Sequence, residues 1–101
     1  MAKKVKSKRD SKKIRETLGS FIKENRLEKN YSQAELAAAL GYSSPQFISD
    51  WERGVSSPPL KKLPELANEL DVKMEKLFDL LLELATTQLT TNLKEEYKKI
   101  S

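Results

Sequence analysis

A chain of 101 residues, 38% hydrophobic and 34% charged, has room for one compact domain and a modest tail; the balance argues against a disordered chain or a membrane-embedded one. It contains no cysteine and no histidine, so disulfides, thiol nucleophiles, thiolate metal sites and the commonest general base are all missing, and neither an enzyme nor a metal or other cofactor is expected. The net charge of +4 is unevenly spread: Lys3, Lys4, Lys6, Lys8, Arg9, Lys12 and Lys13 stand against Asp10 alone in residues 1–13, a local +6, and the other 88 residues carry −2.

Residues 1–13 therefore read as a basic, flexible arm attracted to polyanions, nucleic acid above all, with a merely solubilising terminus as the plain alternative. No apolar run approaches the roughly 18 to 20 residues of a spanning helix, and no apolar segment of the secretory type follows the basic stretch. The expected location is the cytoplasm.

From Ile14 the pattern becomes helical, with Ile14, Leu18, Phe21 and Ile22 on one side and Arg15, Glu16, Lys23 and Glu24 elsewhere. This helix should end near Lys29 and Asn30. Ser32-Gln33-Ala34-Glu35 has the spacing of a capping box, with Tyr31 and Leu36 as its hydrophobic staple, so a second helix runs from Gln33 to Leu40 and stops at Gly41. Ser44 before Pro45 reads as a further N-cap, starting a third helix that extends to Arg53 and stops at Gly54. Ile48 and Trp51 share one face, with Phe47 beside them, and that side is assigned to the core; Gln46, Ser49, Asp50 and Arg53 face the other way.

Val55-Ser56-Ser57-Pro58-Pro59 is a loop, and Pro64 is tolerable only in the first turn of a helix, which places the fourth helix at about Lys61 to Leu70. Asp71 makes the next turn and Val72 enters the core. A fifth helix begins near Lys73 with Met74, Leu77, Phe78 and Leu81 as its apolar stripe. Ala85, Leu89, Leu93, Tyr97 and Ile100 continue at helical steps, but Thr86, Thr87, Thr90 and Thr91 lower helix propensity and Asn92 with Glu95 could cap a new start. The tail is either one long helix or two.

Two short helices joined by a tight glycine-containing turn, the second with a polar outer face, have the physical form of a major-groove reader. Ser32 through Gly54 resembles the helix-turn-helix of the Cro and phage-repressor family, also called the XRE family. The likeness extends from about Leu18 to Leu81. It takes in Ile22 and Arg26, then Gln33-Ala34-Glu35-Leu36-Ala37 and Gly41, then Ile48, Trp51, Glu52, Arg53 and Gly54, and finally Pro64 to Leu77.

The resemblance implies an all-α, five-helix repressor-like domain that binds double-stranded DNA, commonly as a homodimer. It makes Pro45, Gln46, Ser49 and Asp50 the base readers, and Gln33, Ser44, Arg53, Lys61 and Lys62 the phosphate contacts. Arg26 and Glu52 match a structural ion pair between helices 1 and 3. One residue more than in many members separates Gly41 from Ile48, which leaves the register of helix 3 open by one. Chemistry agrees with the assignment, since a glutamine can pair bidentately with adenine N6 and N7 and a serine can donate or accept. Asp50 puts a negative charge on a face meant for a polyanion, and has three readings: acceptance from cytosine N4, repulsion of wrong sites, or a bond within the protein.

The division expected is a basic arm at 1–13, a helix-turn-helix domain at 14–81 and an additional amphipathic C-terminal helix at 82–101. That last helix could fold back, pair with its twin or bind another protein; pairing through Leu89, Leu93, Tyr97 and Ile100 is favoured because small DNA readers gain affinity and specificity by dimerising. The function expected is a sequence-specific transcriptional regulator, repressor-like, acting as a homodimer on a two-fold-symmetric operator. The alternative is an antitoxin or antirepressor whose C-terminal helix grips a partner protein.

Overall fold

Four of the five α-helices stop in the same way, and these stops set the architecture. The computed structural model describes the backbone from Lys8 and the side chains from Asp10 to Ser101. Helices α1 (Lys8–Glu28), α2 (Gln33–Ala39), α3 (Gln46–Glu52) and α4 (Leu63–Leu70) are followed by Asn30, Gly41, Gly54 and Asp71, all with positive φ. After each, a pair of backbone N–H groups turns back to the last carbonyls. Tyr42 N–H donates to Ala37 and Gly41 N–H to Ala38, and Val55 donates to Asp50 as Gly54 does to Trp51. Asn30 with Tyr31, and Asp71 with Val72, repeat the pattern without glycine.

The start of α2 is the capping box read from the sequence: Ser32 Oγ accepts from Glu35 N–H at 3.0 Å, and Glu35 Oε1 accepts from Ser32 N–H at 2.9 Å. That double bond holds the Glu35 carboxyl below its ordinary value, chiefly through the Ser32 backbone N–H. At α3 the expectation shifts by one residue. Pro45 is the N-cap and makes no side-chain cap bond, while Ser44 Oγ accepts from Gln46 N–H at 3.3 Å, a partial substitute for the cap assigned to it. A single 3-10 turn, Leu60–Lys62, precedes α4, because Pro64 in the first turn of α4 and Pro59 before Leu60 both fix φ without needing a donor.

Leu18, Ile22, Leu36, Leu40, Ile48, Trp51, Leu63, Leu66, Leu70 and Leu77 form the core, contributed by all five helices. Two expectations are corrected here, and one open choice is decided. Helix α1 begins at Lys8, six residues before Ile14, so Lys8, Arg9, Lys12 and Lys13 lie in its first turns and not in an arm; Lys3, Lys4 and Lys6 fall outside the described residues. Met74 and Phe78 are not core residues but are 46% and 43% exposed, since only Leu77 of that turn points inward. Of the two readings left open for the tail, the single long helix is the one found: α5 (Met74–Ile100) is continuous for 27 residues, about 40 Å at 1.5 Å per residue.

Continuity survives the threonines because each of three returns its hydroxyl to the carbonyl four residues earlier: Thr86 to Leu82, Thr90 to Thr86 and Thr91 to Thr87. Thr87 and Thr91 are buried with Leu84, as are Ser11 and Ile14 on α1. Helices α1 and α5 pack against each other, and Lys76 Nζ near the start of α5 lies 5.9 Å from the Phe21 ring. Among the described residues, no helix is long and apolar enough to cross a membrane.

Candidate nucleic-acid interface

One buried carboxylate fixes the pose of α3. Glu52 Oε2 accepts from Arg26 Nε at 2.6 Å, and Glu52 Oε1 accepts from Arg26 Nη2 at 3.0 Å and from Gln33 Nε2 at 2.9 Å. The two charged side chains are only 8% and 3% exposed. Arg26 Nη1 also donates to the Tyr31 carbonyl at 2.7 Å, so a single guanidinium ties α1, the turn before α2 and the end of α3 together. The expected Arg26–Glu52 pair is thus present, and Gln33 is joined to it.

Two further contacts hold α3 from the side of α1. A methyl group on Gly19 would fall on the carbonyl oxygens of Trp51 and Glu52, 2.7 Å from the latter, so the helices approach at a distance only glycine permits. Arg15 Nε donates to the Gly54 carbonyl at 2.9 Å, and a side chain on Gly54 would meet Cγ, N and Cα of Glu16 at 3.1 to 3.3 Å. Ile48 and Trp51 are buried as expected, at 0% and 1%.

With that face fixed inward, the other is presented to solvent. Pro45 and Gln46 are exposed, Ser49 and Asp50 are partly so, and Arg53 is exposed. These polar groups are already bonded to one another. Asp50 Oδ1 accepts from Gln46 Nε2 at 2.8 Å and from Arg53 Nη2 at 2.6 Å, and Arg53 Nε donates to Ser49 Oγ at 3.2 Å. Of the three readings of Asp50, the bond within the protein is present in the structure.

Phe47, assigned to the core from its neighbours, is 52% exposed and is corrected accordingly. It lies a full 100° from Ile48 around the helix, and its ring packs on Tyr42 instead, with centroids 4.8 Å apart. Tyr42 in turn meets Trp51 edge-on at 5.9 Å, so the aromatic pair lines the boundary between the core and the start of α3. Phe47 stands beside Gln46 at the edge of the polar face, not within it.

The lysines of the 3-10 turn divide. Lys61 is exposed, whereas Lys62 Nζ donates to the Leu40 carbonyl at 2.7 Å, sits 5.2 Å from the Tyr42 ring centre and pairs with Glu65 at 3.3 Å. A cation on the last carbonyls of α2 complements the helix dipole, a structural duty that the sequence reading did not give Lys62. Ser44 is exposed in the turn and Gln33 is partly buried at the start of α2. Away from this surface, Tyr31 Oη donates to Glu69 Oε2 at 2.6 Å, and that bond to a carboxylate raises the phenol above its ordinary value.

The signals for what was missed are uneven. Gly19 inside a strongly periodic helix is itself a sign of close backbone approach, because glycine there costs about 1 kcal/mol against alanine. Arg15, Lys62 and the Phe47–Tyr42 pair carry no such mark.

Residues 22–77 match the family model described as helix-turn-helix, HTH_3. A crystal structure of the clp gene regulator ClgR from C. glutamicum is similar to this chain at 30% identity and a TM-score of 0.54, covering 73% of this chain and 91% of that one. A second crystal structure of ClgR, from Corynebacterium glutamicum, is 26% identical with a TM-score of 0.56, covering 86% and 88%. No curated protein matches. The match spans more than half of the chain, with Gln33 opening the first helix of the motif and the polar face of α3 turned to solvent on the second: the chain belongs to the XRE-type helix-turn-helix family of DNA-binding regulators.

Proposed function

We propose that this protein is a cytoplasmic transcriptional repressor that binds double-stranded DNA as a homodimer on a two-fold-symmetric operator. The observation that carries the reading is α3: one face is locked to the core by Trp51 and the Arg26–Glu52 pair, and the other offers Gln46, Ser49 and Arg53 to solvent on a rigid support. A reader must be held still to discriminate bases, and this one is. Gln46 and Ser49 contact base edges, with Pro45 beside them; Gln33, Ser44, Arg53 and Lys61 meet phosphates, and the basic N-terminal residues add a salt-sensitive attraction. Occupancy of a promoter is sufficient for repression.

Dimerisation is supported by the outer face of α5, where Leu82, Leu89, Leu93, Tyr97 and Ile100 are 53% to 83% exposed. Phe78, Leu89 and Ile100 recur every eleven residues, as do Leu82 and Leu93, a period of 3.67 per turn that keeps the row nearly straight along the helix. Apolar rows of this length are rarely left open on monomers. The same row supports a second reading, in which the helix grips a different protein, as in an antitoxin or antirepressor. A solution mass of twice the chain favours the dimer, and a concentration-independent monomer removes it.

The base-reading role is tested by paired substitutions. Gln46→Ala is expected to relax preference at one base position by about 1 to 3 kcal/mol, whereas Lys61→Ala weakens all sequences alike. Equal, sequence-independent losses from both would contradict these roles.

A further inference from the structure

The polar side chains on the outer face of α3 are not independent. Asp50 Oδ1 receives Gln46 Nε2 and Arg53 Nη2 at 2.8 and 2.6 Å, and its side chain is 23% exposed against 58% for Arg53. An ionised carboxylate only accepts, so Gln46 must turn its amide nitrogen toward Asp50. One amide hydrogen is then committed. What remains for DNA is the other hydrogen and the Oε1 acceptor, a single donor beside a single acceptor.

That pair matches the N7 acceptor and N6–H donor of adenine. Guanine shows two acceptors, N7 and O6, and would need both amide hydrogens, one of which is held by Asp50. Arg53 supplies the second half of the device. Its guanidinium offsets the carboxylate charge that would otherwise repel phosphate, and Ser49 Oγ, accepting from Arg53 Nε at 3.2 Å, steadies it.

We infer that Asp50 is a positioning residue that fixes the amide of Gln46 as an adenine reader, and that it does not itself contact a base. The inference rests on the reading of α3 as the DNA-recognition helix. Asp50→Asn has the same shape but can donate as well as accept, so it releases both the amide orientation and the charge pair with Arg53.

Selection from a randomised duplex pool, run in parallel on the full-length protein and on the Asp50→Asn, Asp50→Ala and Arg53→Ala variants, tests this. The wild type is expected to enrich adenine over guanine at one position in each half-site. Both Asp50 variants should lower that ratio by about tenfold, equivalent to about 1.4 kcal/mol. Arg53→Ala should weaken every sequence and keep the ratio. Asp50 variants that keep the adenine preference, or that lose a cytosine at a neighbouring position instead, would overturn the inference while leaving α3 as the reader. Enrichment of nothing by the wild type would overturn both.

Discussion

Helix α3 and the outer half of α5 carry their exposed faces in opposite ways. Behind α3, every structural demand is met within the chain: Arg26 and Gln33 share the Glu52 carboxylate, Gly19 admits the backbone, and Arg15 reaches the carbonyl of Gly54. Its outer face is polar and tied into one bonded set. On α5 beyond Leu82, the inner side rests on α1 through Thr87 and Thr91, while the outer side is a row of leucines, a tyrosine and an isoleucine in water. The first face is finished and needs only a polar ligand. The second has apolar surface that none of the described residues covers.

If α3 owes its pose to internal partners, their removal should cost stability in proportion to burial. Arg26→Ala leaves the Glu52 carboxylate buried without its cation and is expected to destabilise the fold by about 3 to 5 kcal/mol in urea unfolding. Replacing both residues together by methionine should recover most of that loss, because an apolar pair of similar volume removes the stranded charge. Gly19→Ala should cost about 1 to 3 kcal/mol by pushing α1 off the end of α3, against a gain in helix propensity that would stabilise an open site.

Ser32→Ala should cost about 1 kcal/mol through the lost cap of α2. The same box gives a pH dependence with a definite sign. Because the folded state holds the Glu35 carboxyl below its ordinary value, the contribution is present at neutral pH and is lost as pH falls through that depressed value. In Ser32→Ala the acid-side loss from this group should shrink, as followed by unfolding at a series of pH values. Leu93→Asp lies at the other extreme. On a face with no partner among the described residues it should change monomer stability by less than about 0.5 kcal/mol and yet, for the dimer proposed above, halve the mass seen by sedimentation. A large loss of monomer stability would erase the contrast between the two regions.

Much of this contrast was legible in the sequence, for reasons particular to each element. The capping box at Ser32, the stops at Gly41 and Gly54, the turn at Asp71 and the limit set by Pro64 are local signals, each complete within a few residues. They placed α2, α3 and α4 to within a residue or two. The start of α1 was not legible, because the residues before Ser11 carry no apolar period in the sequence. Threonine left α5 undecided between one helix and two: its low helix propensity allows a break, but in the structure the hydroxyl is absorbed by the preceding turn.

At the recognition surface, residue types were legible and their bonding was not. Gln46, Ser49 and Asp50 could be assigned to one face from spacing alone. That Asp50 takes up both Gln46 and Arg53 depends on side-chain rotamers and on the pose of α3 relative to solvent. Lys62 and Phe47 show the same limit from the other side. The contact of Lys62 with the Leu40 carbonyl had no local mark, and a phenylalanine beside Ile48 reads as core and proves to lie on the surface.

The two faces together make one prediction about DNA. Selection of wild-type protein on a randomised duplex pool at about physiological ionic strength, where non-specific phosphate binding is weak, should enrich a two-fold-symmetric site with half-sites about one helical turn apart. A single asymmetric half-site would contradict pairing through α5, and a pool left unenriched would contradict sequence reading by α3.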